Sequence, residues 1–319
     1  MSQQHTPSNT NKAMAHSTSW KSIFRNDLFH GKVALVTGGG SGIGKAIATE
    51  LASLGATVVI ASRNHEKCQA AAEEINQSLP SWEPTTSTRT ITITTMGRVV
   101  AGPSTNIRKE QDIQQLIAHV IQTYGSLDLL VNNAGGQFIL ESAELSARGF
   151  AAVVETNLQG TFLMCREAYQ QYMKDHGGSI VNITIGFRNG MPGMMHSAAS
   201  RAGVENMTVT LCTEWIDSNI RINCVRPGII FTESGFENYG PAGDYFLDRI
   251  VPSLPSRRLG SPEEVSSAVV WLLSEGASYV TGCTICVDGG SSYTALPLID
   301  IEDRAHLPVY GTLPPRARL

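Results

Sequence analysis

Nowhere in its 319 residues does this sequence carry an apolar stretch approaching the ~20 residues of a membrane-crossing helix. Charge is sparse too, at 16 % of residues, and the basic side chains form no long run. With a formal net charge of −4, this argues against nucleic acid or an anionic membrane as the main partner. A secretory apolar segment is missing from the N-terminus. The six cysteines are therefore expected to be free thiols in a reducing intracellular setting. Cys283-Thr-Ile-Cys286 has no second pair to complete a zinc site. It lies in a β-branched run that reads as a strand, where residues three apart point to opposite faces. Two buried core thiols are the expectation. Residues 1–26 lack Asp and Glu but carry Lys12, Lys21 and Arg25 among many Ser, Thr, Asn and Gln. That composition suits a disordered tail, with an organellar targeting peptide as the alternative.

What is present is ordinary for a globular domain: 42 % of residues are apolar. A core of this size needs no disulfide or metal. Apolar runs and amphipathic segments alternate, which predicts a parallel sheet with helices on both faces. Strands are expected at 33–37, 58–61, 127–132, 179–184, 221–225 and 284–287. Helices are expected at 43–54, 65–76, 112–124, 150–175, 197–219 and 262–273. One domain then spans 27–293. The segment 78–97, with its Thr/Ile alternation, reads as an insertion, an exposed hairpin being one form for it. Residues 229–258 form a long connection carrying Phe231, Phe236, Tyr239, Tyr245 and Phe246, and are expected to act as a lid. Residues 294–319 are Pro-rich and end in Ala317-Arg318-Leu319, a conservative variant of the Ser-Lys-Leu peroxisomal address. A peroxisomal import receptor is the partner that this tripeptide predicts.

Gly38, Gly42 and Gly44 follow the first strand and open a helix. The first glycine makes a tight turn; the others let backbone N–H groups and a helix N-terminus approach a pyrophosphate. This reads as a dinucleotide-binding turn, with a purely structural turn as the alternative. The second strand ends at Ile60-Ala61-Ser62-Arg63, without the acid that usually holds a ribose 2′-hydroxyl. A guanidinium fork at Arg63 and a hydroxyl at Ser62 suit a 2′-phosphate instead, favouring NADP(H) over NAD(H).

Thr37-Gly38, Gly42-Ile43-Gly44, Asn132-Asn133-Ala134-Gly135, Asn157, Arg226-Pro227-Gly228 and Val287-Asp288-Gly289-Gly290 resemble the motifs of the classical short-chain dehydrogenase/reductases. The resemblance covers roughly residues 28–293. Gly135-Gly136-Gln137-Phe138, Glu155-Thr156-Asn157-Leu158, the run 176–183, His196-Ser197, Arg201-Ala202-Gly203-Val204 and Glu237-Asn238-Tyr239-Gly240 bring it near one branch, the peroxisomal trans-2-enoyl-CoA reductases. The resemblance implies a doubly wound Rossmann fold of seven parallel strands and a homo-oligomer. It carries cofactor contacts onto Gly38, Ser41, Gly42, Ile43, Gly44, Ser62, Arg63, Asn133, Ala134, Gly135, Arg201, Pro227, Gly228 and Ile230.

The family's catalytic set is a Ser, a Tyr and a Lys supported by an Asn. Asn157 matches the Asn. The Ser position falls on Ile185, next to Thr184; the Tyr position falls on Ser197 and the Lys position on Arg201. A Tyr that some members of the branch place further along the same helix is Glu205 here. Ketone reduction produces a localised alkoxide and needs a strong, positioned acid. Ser197 and Arg201 supply none. Reducing a double bond conjugated to a thioester spreads charge onto the thioester oxygen, and hydrogen bonds suffice to hold it. Ser197 would donate one, Arg201 would hold the nicotinamide ribose, and Asn157 would brace the backbone or a water. His196 is a candidate acid, with a structural role as the alternative; Ser197 has the alternative of an N-cap. Met191, Met194 and Met195 read as packing residues or as an acyl channel.

The function expected is therefore NADPH-dependent reduction of trans-2-enoyl-CoA thioesters in a peroxisome, with no metal. The competing readings are a 2,4-dienoyl-CoA reductase, a short-chain reductase of specialised metabolism, and an NADPH-binding pseudo-enzyme.

Overall fold

The computed structural model describes residues 22–79, 97–186, 190–232 and 251–293. Its centre is a seven-stranded sheet: β1 (Val33–Thr37), β2 (Thr57–Ala61), β3 (Arg98–Ala101), β4 (Leu129–Asn132), β5 (Gly178–Ile183), β6 (Ile220–Pro227) and β7 (Thr284–Val287). The order is β3-β2-β1-β4-β5-β6-β7, and every neighbouring pair is parallel. The helices are α1 (Gly42–Ser53), α2 (His65–Ser78), α3 (Glu110–Tyr124), α4 (Ala147–Val154), α5 (Gly160–Ala168), α6 (Lys174–His176), α7 (Met195–Glu214) and α8 (Pro262–Leu273).

All of β1 is buried, as a strand covered on both faces must be. Its alternate side chains serve two cores. Ala34 and Val36 face a cluster with Ile47 and Leu51 of α1, Ile75 of α2, and Val265 and Val269 of α8. Val33 and Leu35 face a second cluster with Ile113 and Leu116 of α3, Leu163 of α5 and Leu211 of α7. The chain reverses its building direction between β1 and β4, so a crevice opens beyond the carboxyl ends of these strands. Open α/β sheets bind ligands there.

The expected strands are all present, and β3 is one that the residue pattern did not place. It has four residues at the sheet edge and begins with the exposed Arg98, so it carries little apolar signal. The long helix expected from 150 starts earlier, at Ala147, because the Ser146 hydroxyl accepts the Gly149 N–H. It then passes through two π-helical turns, Glu155–Gln159 and Tyr169–Met173. α7 also starts early: Met194 is its N-cap, so Ser197 lies inside the helix and does not cap it. The two thiols of Cys283 and Cys286 are exposed, against expectation, because β7 is the last strand and pairs only with β6. The other four cysteines are buried, and all six are free. Apart from Ser78, Leu79 and Gly97, the insertion at 78–97 lies outside the described residues. So do most of the aromatic connection, residues 1–21 and the tail from 294 onward. Among the described residues no helix is long and apolar enough to cross a membrane.

Candidate functional site

The glycine turn sits where β1 meets α1. Gly38 and Gly42 hold φ of +68° and +53°, a region that L side chains rarely adopt. A Cβ on Gly44 would stand 2.4 Å from the Gly38 carbonyl oxygen. Ser41, the N-cap of α1, makes no side-chain capping bond, so the first N–H groups of the helix face the turn. Thr37 ties this turn to the loop after β4: its Oγ1 accepts from the Asn133 and Ala134 N–H groups, each at 3.1 Å. The Asn133 carboxamide donates back to the Thr37 oxygen at 3.1 Å and the Gly38 oxygen at 3.3 Å. This geometry leaves uncapped backbone donors at a turn kept narrow by glycine, which fits a dinucleotide pyrophosphate.

At the end of β2, Arg63 is exposed. The Ser62 hydroxyl closes a local turn, donating to the Asn64 oxygen at 3.0 Å and accepting from the Asn64 N–H at 3.2 Å. Ile43 and Ile230 are partly buried and pack on the core. Gly228, after Pro227, admits no side chain, since a Cβ would lie 2.8 Å from Asp288 Cα.

The remaining candidates converge on the loop after β4. Arg201 is only 7 % exposed, yet among its guanidinium nitrogens Nη1 has no partner and Nη2 reaches the Ala134 oxygen at a long 3.4 Å. Burial pulls its pKa down to about 10, which still leaves it charged at neutral pH. A buried cation with an open donor calls for an acceptor from a ligand, and ribose hydroxyls fit. Gly135 makes room for the guanidinium. Asn157, in the first π-helical turn, clamps Gly136: its Oδ1 accepts the Gly136 N–H at 2.9 Å and its Nδ2 donates to the Gly136 oxygen at 3.0 Å. A π-bulge re-aims side chains and recurs at functional sites.

Ser197 is fully buried and donates to Gln137 Oε1 at 2.8 Å. Gln137 is the site residue that sequence reasoning missed: it stood within the Gly135-Gly136-Gln137-Phe138 match but received no role. His196 is also fully buried, with neither ring nitrogen hydrogen-bonded. Its ring packs on Phe138 with centroids 4.5 Å apart. Desolvation pushes its pKa below the usual imidazole value. At neutral pH the ring is therefore an uncharged hydrogen-bonding group, which suits it poorly to the role of acid. Thr184 points away from this cluster and donates to Glu205 Oε1 at 2.9 Å. Glu205 in turn pairs with Arg226, whose Nε lies 2.8 Å from Oε1. Thr184 and Glu205 thus form a structural tie between β5, α7 and β6. Met194 is buried, in keeping with packing, and Met195 is exposed.

The glycine turn, the loop after β4 and the start of α7 therefore line one crevice, and residues 38–292 match the family model described as enoyl-(acyl carrier protein) reductase. The chain belongs to the short-chain dehydrogenase/reductase family. This short-chain reductase is 37 % identical to the peroxisomal 2,4-dienoyl-CoA reductase [(3E)-enoyl-CoA-producing] of Danio rerio, over 86 % of this chain and 85 % of that one. It is 34 % identical to the probable 2,4-dienoyl-CoA reductase [(2E)-enoyl-CoA-producing] of Bacillus subtilis, over 83 % and 98 % of the two chains. Among solved structures, a citronellol catabolism dehydrogenase of Pseudomonas aeruginosa PAO1 superposes with a TM-score of 0.70 at 40 % identity. That match covers 86 % of this chain and all of the other. The expected family and the seven-stranded Rossmann-like fold are thus borne out, and the short-chain reductase is an oxidoreductase.

Proposed function

We propose that this short-chain reductase reduces the carbon–carbon double bond of an enoyl-CoA thioester, with trans-2-enoyl-CoA as the substrate and NADPH as the reductant. The observation that carries this reading is the buried Ser197 hydroxyl, held by Gln137 in the place of the family's phenol, one helical turn from Arg201. Gly38, Ser41, Gly42, Ile43 and Gly44 would hold the cofactor pyrophosphate, with Asn133, Ala134, Gly135, Pro227, Gly228 and Ile230 around the nicotinamide half. Ser62 and Arg63 would take the 2′-phosphate. When bound, NADPH supplies hydride at the β-carbon.

The electron pair of the double bond shifts into the bond between the α-carbon and the thioester carbon, and the carbonyl pair moves onto the thioester oxygen as an enolate. Ser197 turns its O–H from Gln137 to that oxygen, and Arg201 adds a fixed positive charge nearby. Such preorganised donors act strongly because the site is buried. Asn157 keeps Gly136, at the base of the loop carrying Gln137, in place. The α-carbon takes its proton from water. No residue here has to quench a localised alkoxide, which is why the loss of Tyr and Lys is tolerated.

A second reading, 2,4-dienoyl-CoA reduction, is favoured by the names of the Danio and Bacillus relatives. It uses the same charge delocalisation and the same residues. We place the reaction in the peroxisome, supported by the names of the Danio rerio and Pongo abelii relatives, and expect a homo-oligomer as in the family. The test is NADPH oxidation with trans-2-enoyl-CoA, 2,4-dienoyl-CoA and 3-oxoacyl-CoA. Turnover of the first supports the proposal, and turnover of only the second selects the other reading. Activity confined to the oxo substrate overturns both, and bound cofactor without any turnover points to a pseudo-enzyme.

A further inference from the structure

Two neighbouring residues of the loop after β4 cover two neighbouring residues of α7. Gln137 accepts the Ser197 proton, and Phe138 lies against the His196 ring. The loop is pinned on either side of this pair. Gly136 is clamped by Asn157, and the Leu140 N–H donates to the Gly193 oxygen at 2.8 Å. Residues 137–139 form the span between those two anchors. Phe138 is 39 % exposed, an unusual state for a phenylalanine that shields a buried polar ring.

His196 is the unexplained member. Both its nitrogens are buried without a partner, although buried polar groups are nearly always hydrogen-bonded. It occupies the second position of a 20-residue helix, where the positive end of the helix dipole opposes an imidazolium. Burial opposes that charge too. An uncharged imidazole keeps one N–H to donate. Asn157 has both ends of its carboxamide on Gly136, and Ser197 has its proton on Gln137. Besides Arg201 Nη1, which the cofactor ribose would take, the undirected proton in this cluster is that of His196.

We propose that Gln137-Phe138 is a two-residue cover which the acyl thioester displaces, and that His196, once uncovered, donates its ring N–H to the thioester oxygen beside Ser197. The inference rests on the thioester reading above. One movement of one short span frees both donors together, so the polar floor of the pocket is exposed only when an acceptor is there to use it. The imidazole keeps its proton throughout; no bond to hydrogen is broken at this residue.

The test follows the ring itself. With imidazole nitrogens labelled with ¹⁵N, the His196 resonances of the full chain loaded with NADP⁺ are recorded before and after adding a saturated acyl-CoA, which binds but cannot be reduced. We expect a donor-type shift at one ring nitrogen on adding acyl-CoA and none on adding NADP⁺ alone. In kinetics, His196→Ala should lower kcat/KM by roughly 10–100-fold, mainly through kcat, as removal of an oxyanion donor does. His196→Gln should restore about tenfold of that loss, because a carboxamide N–H replaces the ring donor. Affinity for NADPH should stay unchanged. A silent His196 resonance on saturation with acyl-CoA overturns the proposal, as does a folded His196→Ala variant with wild-type kcat/KM. If His196→Ala does not fold, the wild-type resonance decides alone. A shifted resonance in a protein that reduces no enoyl thioester upholds the cover and overturns the reductase reading.

Discussion

A Cβ at position 135 would stand 2.0 Å from Arg201 Nη2, so the absent side chain of Gly135 and the buried guanidinium occupy the same space. Gly135→Ala should therefore push the guanidinium out of its place beside Ala134. NADPH affinity should fall by roughly tenfold or more, because a buried charge-assisted hydrogen bond is lost. Fluorescence titration of the variant measures it. Wild-type affinity in Gly135→Ala would mean that Arg201 does not contact the cofactor.

Arg63 is exposed at the end of β2, free to take a phosphate with its planar fork. Arg63→Ala should weaken NADPH by about 10–100-fold while leaving NADH nearly unchanged, since only the former carries the 2′-phosphate. Matched losses for the two nucleotides would remove Arg63 from the specificity argument.

Ser197→Ala deletes the donor to Gln137 and to the substrate oxygen. Its kcat should drop by about 10²–10³, the usual effect of losing an oxyanion-hole group, with little change in NADPH binding. Asn157→Ala acts differently, by releasing both Gly136 bonds. It should cost roughly 1–3 kcal/mol of stability as well as activity, read from urea unfolding. A Ser197→Ala enzyme with unaltered kcat would reject the role given to that hydroxyl.

Glu50 is buried where α1 meets α8, accepting hydrogen bonds from Ser22 and Ser266. Desolvation outweighs those bonds and raises its pKa. A carboxyl with a raised folded-state pKa binds more protons folded than unfolded. Its contribution to stability is thus full below the unfolded value of about 4.3 and is lost as pH rises through the folded one. Glu50→Gln keeps the shape and removes the titration. Its unfolding midpoint in urea should gain on wild type between pH 4.5 and pH 7.5. An equal difference at both values would show that folding does not raise the Glu50 pKa.

Much of this was legible in the residues because the relevant signals are local. The glycine turn after a Val/Ala/Leu run marks its own place in the fold, and the buried strands announce themselves as continuous apolar segments. Strand β3 was not legible because an edge strand of four residues with Arg98 at its head has no pattern of its own. The exposure of Cys283 and Cys286 was not legible for a related reason: local sequence shows that β7 is a strand, but not that it lies at the edge of the sheet. The Ser197–Gln137 bond spans 60 positions and brings a loop against a helix. The π-helical turn that aims Asn157 at Gly136 depends on packing that no periodicity records.

The tie between Glu205 and Arg226 sets the terms on which this scaffold can be re-engineered. A phenol at position 205, where the resemblance puts one in some members of the branch, would strip a largely buried arginine of its carboxylate and the Thr184 hydroxyl of its acceptor. A phenol therefore enters this position only as a paired exchange, with Arg226 made neutral in the same step.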